Sequence, residues 1–97
     1  MTRRLLSLSA VLLLATPLQA QGYHLTQSYT LGGTGGWDYL SLDTVGNRIF
    51  IARSDRVMVV DEAKGTLLGE IPGLRGAHGV AFATGTDHGF ATSGADS

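Results

Sequence analysis

The residues of this chain best suited to chemistry are an indole, a carboxylate and an imidazole. Trp37 and Asp38 open one apolar segment, and His78 opens another, 41 residues after Trp37. Two cations accompany them: Arg53, in Arg53-Ser54-Asp55, and Arg75, just ahead of His78. A histidine can close the hydrogen-bond network of a turn or act as a proton acceptor. Trp37, Asp38, Arg53, Arg75 and His78 are therefore the expected ligand contacts. A purely structural role is the competing expectation for three neighbours. Trp37 and Tyr39 would wedge between packed sheets, and Asp38 would cap local backbone N–H groups.

Other signals point away from catalysis, and no catalytic residue is assigned. Gly32-Gly33-Thr34-Gly35-Gly36 invites a phosphate-loop reading. It lacks the Lys-Ser/Thr end and leads into a strand pattern instead of a helix. Glycine there serves a tight crossing between sheets. His24, His78 and His88 have no metal-ligand spacing, so no metal or cofactor is expected. His88 falls in a hairpin, Thr86-Asp87-His88-Gly89. No serine sits in a Gly-x-Ser-x-Gly turn. Asp61-Glu62 are adjacent carboxylates in a hairpin, where they point apart.

The elements that must position these side chains read as strands. Short apolar runs alternate with Gly, Asp, Asn and Ser, and nothing after residue 20 shows helical periodicity. Strands are expected at Trp37–Leu42, Arg48–Ala52, Arg56–Val60 and Thr66–Ile71. The connector Asp61–Gly65 suits a hairpin with Gly65 in the left-handed region. Val57-Met58-Val59-Val60 is apolar on both faces, as in a strand packed on both sides.

The pattern then restarts. Shifted by 41, Trp37–Leu42 falls on His78–Ala83, Ile49 on Phe90, and Gly32 and Gly35 on Gly73 and Gly76. A four-stranded repeat of ~40–45 residues marks a propeller blade. Tyr23–Leu31 reads as an odd outermost strand that would close such a ring. The expected fold is all-β: a closing strand, one blade at Trp37–Ile71, and half of a second at Gly79–Ser93. Residues 21–97 would then be the N-terminal portion of a longer propeller domain. Alone, such a portion would leave one blade face bare.

Upstream, Met1-Thr2-Arg3-Arg4 is basic, Leu5–Ala15 is an uncharged apolar run, Thr16-Pro17 breaks it, and Leu18-Gln19-Ala20 offers a cleavage site. This order reads residues 1–20 as a secretory signal peptide. The run is well short of the ~20 residues that span a bilayer, so no membrane span is expected after cleavage. The remaining 77 residues carry five basic and eight acidic side chains, net −3. Such a balance offers no basic footprint for nucleic acid. The chain has no cysteine, which excludes disulfides and thiolate metal sites.

The string Leu31-Gly32-Gly33-Thr34-Gly35-Gly36-Trp37-Asp38-Tyr39 carries a resemblance. With it go Arg48–Ala52, Arg56–Asp61, Gly69–Gly73 and His78-Gly79-Val80-Ala81. Together they resemble the opening of the exported bacterial YncE-like, YVTN-repeat β-propeller family. The match covers about residues 29–94. The resemblance implies a ring of about seven blades, whose first strands line a central channel. It places Trp37, Asp38 and His78 at one channel mouth, with Arg75 and Arg53 on the same rim, where loops converge on ligands. It further implies a periplasmic or secreted, non-catalytic module that binds a small molecule or a periplasmic protein. Its alternatives are a periplasmic propeller enzyme of lactonase or quinone-linked type, and a DNA-binding propeller.

Overall fold

The computed structural model describes residues 22–96; the expected signal peptide at 1–20 lies outside them. The described chain is all-β. Six strands run in order: β1 (Leu40–Asp43), β2 (Arg48–Arg53), β3 (Arg56–Asp61), β4 (Leu67–Ile71), β5 (Val80–Phe82) and β6 (Gly89–Ala91). The first four form an antiparallel sheet in the order β1-β2-β3-β4, and β5 and β6 form a two-stranded antiparallel sheet. Among the described residues, no helix is long and apolar enough to cross a membrane.

Each turn of the first sheet has a local cause. Between β1 and β2, Asp43 accepts from the Gly46 N–H at 3.0 Å and from the Arg48 guanidinium at 2.6 and 2.9 Å. Asn47 adopts a positive φ of 51°, which asparagine tolerates better than most residues. Between β3 and β4, Asp61 accepts from the N–H groups of Ala63 and Lys64. Its neighbouring carboxylate, Glu62, stays exposed. Gly65 has φ 68°. A Cβ there would collide with the Tyr29 ring.

β-Pleating sorts the side chains of this sheet onto two faces. Paired residues share a face, so the register puts Ser41, Phe50 and Val59 on one side. Leu40, Ile51 and Met58 stand on the other. The second sheet covers the first side. Phe82 meets Phe50 edge-to-face at 5.0 Å, and Ser41 Oγ donates to the Val80 carbonyl. The chain ahead of β1 covers part of the other side. Leu31 packs on a cluster of Ile51, Met58 and Val60, and Tyr29 donates to the Glu62 and Ala63 carbonyls. Val57 and Val60 in the centre are fully enclosed, and such side chains contribute roughly 1.5–3 kcal/mol each. Leu40 and Leu42 at the β1 end remain more than half exposed.

Two sequence expectations are corrected, the start of the first strand and the repeat spacing. The strand expected at Trp37 begins at Leu40, because Ala52 bonds two consecutive residues opposite: Asp38 N–H donates to its carbonyl, and its own N–H donates to Tyr39. Two residues facing one is a bulge, which interrupts a ladder locally. Residues 23–31, expected to pair in a last blade that would close the ring, have no ladder partner among the described residues and form no strand there. The spacing of the two hairpins is 40, not 41. Leu40↔Ile51 in the first corresponds to Val80↔Ala91 in the second. The glycines do keep 41: Gly32, Gly35, Gly73 and Gly76 all have positive φ. The connector from glycine turn to strand is thus one residue longer in the first unit, and the bulge absorbs the extra residue.

Candidate functional site

The bulge that ends β1 also frees the Tyr39 N–H from its own sheet. It donates instead to the His78 carbonyl at 3.1 Å. That bond draws the approach to β5 alongside the approach to β1. Ser54 and Ala77 complete the junction, where Ala77 N–H donates to Ser54 O at 2.7 Å and Leu74 N–H to Asp55 O at 3.1 Å. Ser54 can turn there because it adopts φ 58°.

Asp38 and His78 meet at this junction. His78 Nδ1 lies 2.6 Å from Asp38 Oδ2, and Asp38 Oδ1 accepts from the Tyr39 N–H at 2.9 Å. In the 40-residue register these two residues hold equivalent places, each two positions before its strand. With Nδ1 directed at the carboxylate, Nε2 of His78 makes no hydrogen bond among the described residues. The His78 side chain is largely exposed and that of Asp38 about one-third exposed. The arrangement is an oriented imidazole, able to donate to, or accept from, a ligand at its open edge.

Trp37 is about half exposed. The Arg53 guanidinium carbon lies 3.6 Å from its ring centroid, a cation–π stack. Arg53, expected among the ligand contacts, is instead 1 % exposed. Its guanidinium donates to the carbonyls of Gly32, Gly35 and Gly36 at 2.7, 2.9 and 3.3 Å, and approaches Met58 Sδ. The physical reason lies in the glycine run. Positive φ at Gly32, Gly33 and Gly35 turns carbonyl oxygens toward the sheet, and buried acceptors demand donors. Arg56 completes the clamp by donating to the Thr34 carbonyl at 2.7 Å. The loop thus presents acceptors to guanidinium groups, the opposite polarity to a phosphate-binding loop.

Arg75 lies on the same junction, strongly exposed, with its Nη1 3.6 Å from an Asp96 carboxylate oxygen. Its backbone is tied down: its N–H donates to Ser93 Oγ, and its carbonyl accepts from the Ala95 N–H. Of the five expected contacts, Asp38 and His78 meet where the two sheets begin, Trp37 stacks on Arg53, and the Arg75 side chain reaches Asp96.

Residue-type reasoning overlooked two participants. Thr92 Oγ1 accepts from the N–H groups of both His78 and Gly79 at 3.1 Å, which holds the histidine backbone. Arg56 fixes the glycine loop. The signal for Thr92 was its place opposite Gly79, next to His78, in the second hairpin, legible only with the correct register. An open groove of about 500 Å³ lies next to the junction, lined mainly by Tyr39, Leu40, Ser41, Val80, Ala81 and Phe90. None of the five expected contact residues lines it. Among the described residues, no three His, Asp or Glu side chains stand together as a metal-binding group.

No protein-family model, curated protein or solved structure matches this chain.

Proposed function

We propose that the two sheets are successive blades of a propeller-type repeat of the exported YncE-like kind. Its role is that of a non-catalytic binding module, whose junction binds a small molecule or a periplasmic protein. The observation that carries this reading is the Asp38–His78 contact. It joins equivalent positions of two units repeating at 40 residues and directs an imidazole edge outward. Face-to-face packing of β5 on the first sheet, through Phe50 and Phe82, supports the blade reading. So does the four-stranded antiparallel order of the first sheet. A propeller gathers such blade-to-blade junctions at the ends of its channel.

A second reading draws on the same pair. A carboxylate that orients an imidazole is half of a general-base device, so an enzyme of lactonase or quinone-linked type is the alternative.

One experiment separates them. The exported protein is screened against periplasmic small molecules and lactones, with ligand-induced shifts in melting temperature and product formation read together. Binding without turnover, lost in Asp38→Ala and His78→Ala, supports the binding module. Turnover abolished by His78→Gln replaces it with the enzyme. Export is checked on the same material, whose N-terminus should be Gln21; retention of Met1 would contradict it.

A further inference from the structure

The second hairpin packs on the first sheet in one definite way. Phe82 meets Phe50, and the Val80 carbonyl accepts from Ser41. Val80 and Phe82 share a face of β5, so Ala81 and its partner Phe90 stand on the face turned away from the first sheet. Among the described residues no further strand joins this hairpin, and Phe90 is two-thirds exposed. Leu40 and Leu42 stand on the face of the first sheet opposite the second sheet. Leu31 covers the β2–β3 part of that face, whereas Leu40 and Leu42 are more than half exposed.

The 40-residue register makes these two bare surfaces counterparts of the pair already packed together. Leu40 and Leu42 correspond to Val80 and Phe82, on the face that the second hairpin lays on the first sheet. Ala81 and Phe90 correspond to Ser41 and Phe50, on the face that receives it. One side of the molecule thus repeats the laid surface, and the other side repeats the receiving surface. Their widths agree, since the open part of the first sheet is its β1 end and the far face belongs to a two-stranded hairpin. None of Leu40, Leu42, Ala81 and Phe90 is charged, so joining them buries no ion among these four.

We propose that the chain associates head to tail with copies of itself. Leu40 and Leu42 of one copy pack on Ala81 and Phe90 of another, as Phe82 packs on Phe50 within the chain. The inference rests on this internal packing and stands apart from the ligand reading of the junction. The contact joins two different surfaces, so it builds closed rings or open rows. Each contact covers only a two-stranded hairpin, so association grows with concentration and is slight in dilute solution.

The test is sedimentation of the exported chain over a concentration series. The average mass should rise with concentration past that of a dimer. Leu42→Asp and Phe90→Asp each spoil one of the two surfaces. Each alone should stay monomeric, with association weakened about tenfold or more, because the contact would bury an unpaired charge. Mixed in equal amounts, the two should form a dimer and nothing larger, since each retains the surface that the other has lost. Leu68→Asp, at a comparably exposed leucine of β4, should associate as the unaltered chain does. Emission from Trp37, the only tryptophan, should be the same in every variant. If an aspartate variant alters it, Leu42→Ser and Phe90→Ser repeat the mixture. The proposal is overturned if the chain stays monomeric throughout, if Leu68→Asp disperses it equally, or if the mixture stays monomeric. It is also overturned if either variant alone still dimerises, which would assign a symmetric contact instead.

Discussion

β1–β2 and β5–β6 are hairpins of the same register, each closing over four residues, yet they are held by different forces. β2 contributes Ile51, Ala52 and Arg53 to the interior, and β3 adds Val57, Met58 and Val60. Every residue of β6 is exposed, and among the described residues of the second unit only Ala77, ahead of its strands, is buried. The first hairpin has two further strands beside it and cover on both faces. The second has a neighbour on one face alone. The same strand pattern therefore gains its stability from what it packs against, since burial and not alternation supplies the free energy.

Core truncation gives the largest contrast. Ile51→Ala should cost about 3 kcal/mol by urea denaturation, from lost burial and the cavity left behind. Phe90→Ala, two-thirds exposed in the second hairpin, should change stability by less than about 0.5 kcal/mol. Equal effects would mean the two hairpins are equally buried in solution, and would break the comparison.

The connectors come next. Gly33 has φ 85°, and a Cβ there would lie 2.8 Å from Arg53 Nη1. Gly33→Ala should destabilise by about 2 kcal/mol through backbone strain and displacement of the guanidinium. Trp37 emission should shift to the red as its stack loosens. Gly73→Ala in the second connector has positive φ but nothing within 4 Å of the new Cβ. It should cost less and leave the emission unmoved. An identical emission shift in both variants would show that the clamp does not hold Trp37.

A smaller effect is expected where the two units touch. A double-mutant cycle with Asp38→Ala and His78→Ala should return a coupling of about 0.5–1 kcal/mol, modest because the pair is partly solvated. Coupling near zero would mean that the sheets associate without this contact.

The smallest effect appears in acid. The Gly46 N–H and then the Arg48 guanidinium hold the Asp43 carboxyl below its ordinary 3.8. A carboxyl with a lowered folded pKa stabilises the fold when ionised. Its contribution is complete above pH 3.8 and is lost as pH falls through the folded value. Asp43→Asn should flatten the stability profile in that range. The corresponding place in the second hairpin is Ala83, which has no carboxylate, so an acid-sensitive turn there would contradict the assignment.

The chain's composition and periodicity established an all-β protein, the positions of the first sheet's four strands to within a few residues, and a restart of the pattern near residue 78. Period-two alternation, turn residues and glycine are local properties, readable without knowing what lies opposite. Gly65 in the left-handed region is one such case, dictated by its own hairpin. The tertiary structure alone decided the rest. The 40-residue register depends on which backbone groups pair, and a bulge at Asp38–Tyr39 leaves no mark in residue type. Arg53 reads as a rim cation in the sequence and is an internal clamp in space, because three distant glycine carbonyls converge on it. Repeat reasoning could bring Asp38 and His78 to the starts of successive units. Their 2.6 Å contact arises only when the second sheet packs on the first, since no local preference can specify a bond between residues forty positions apart.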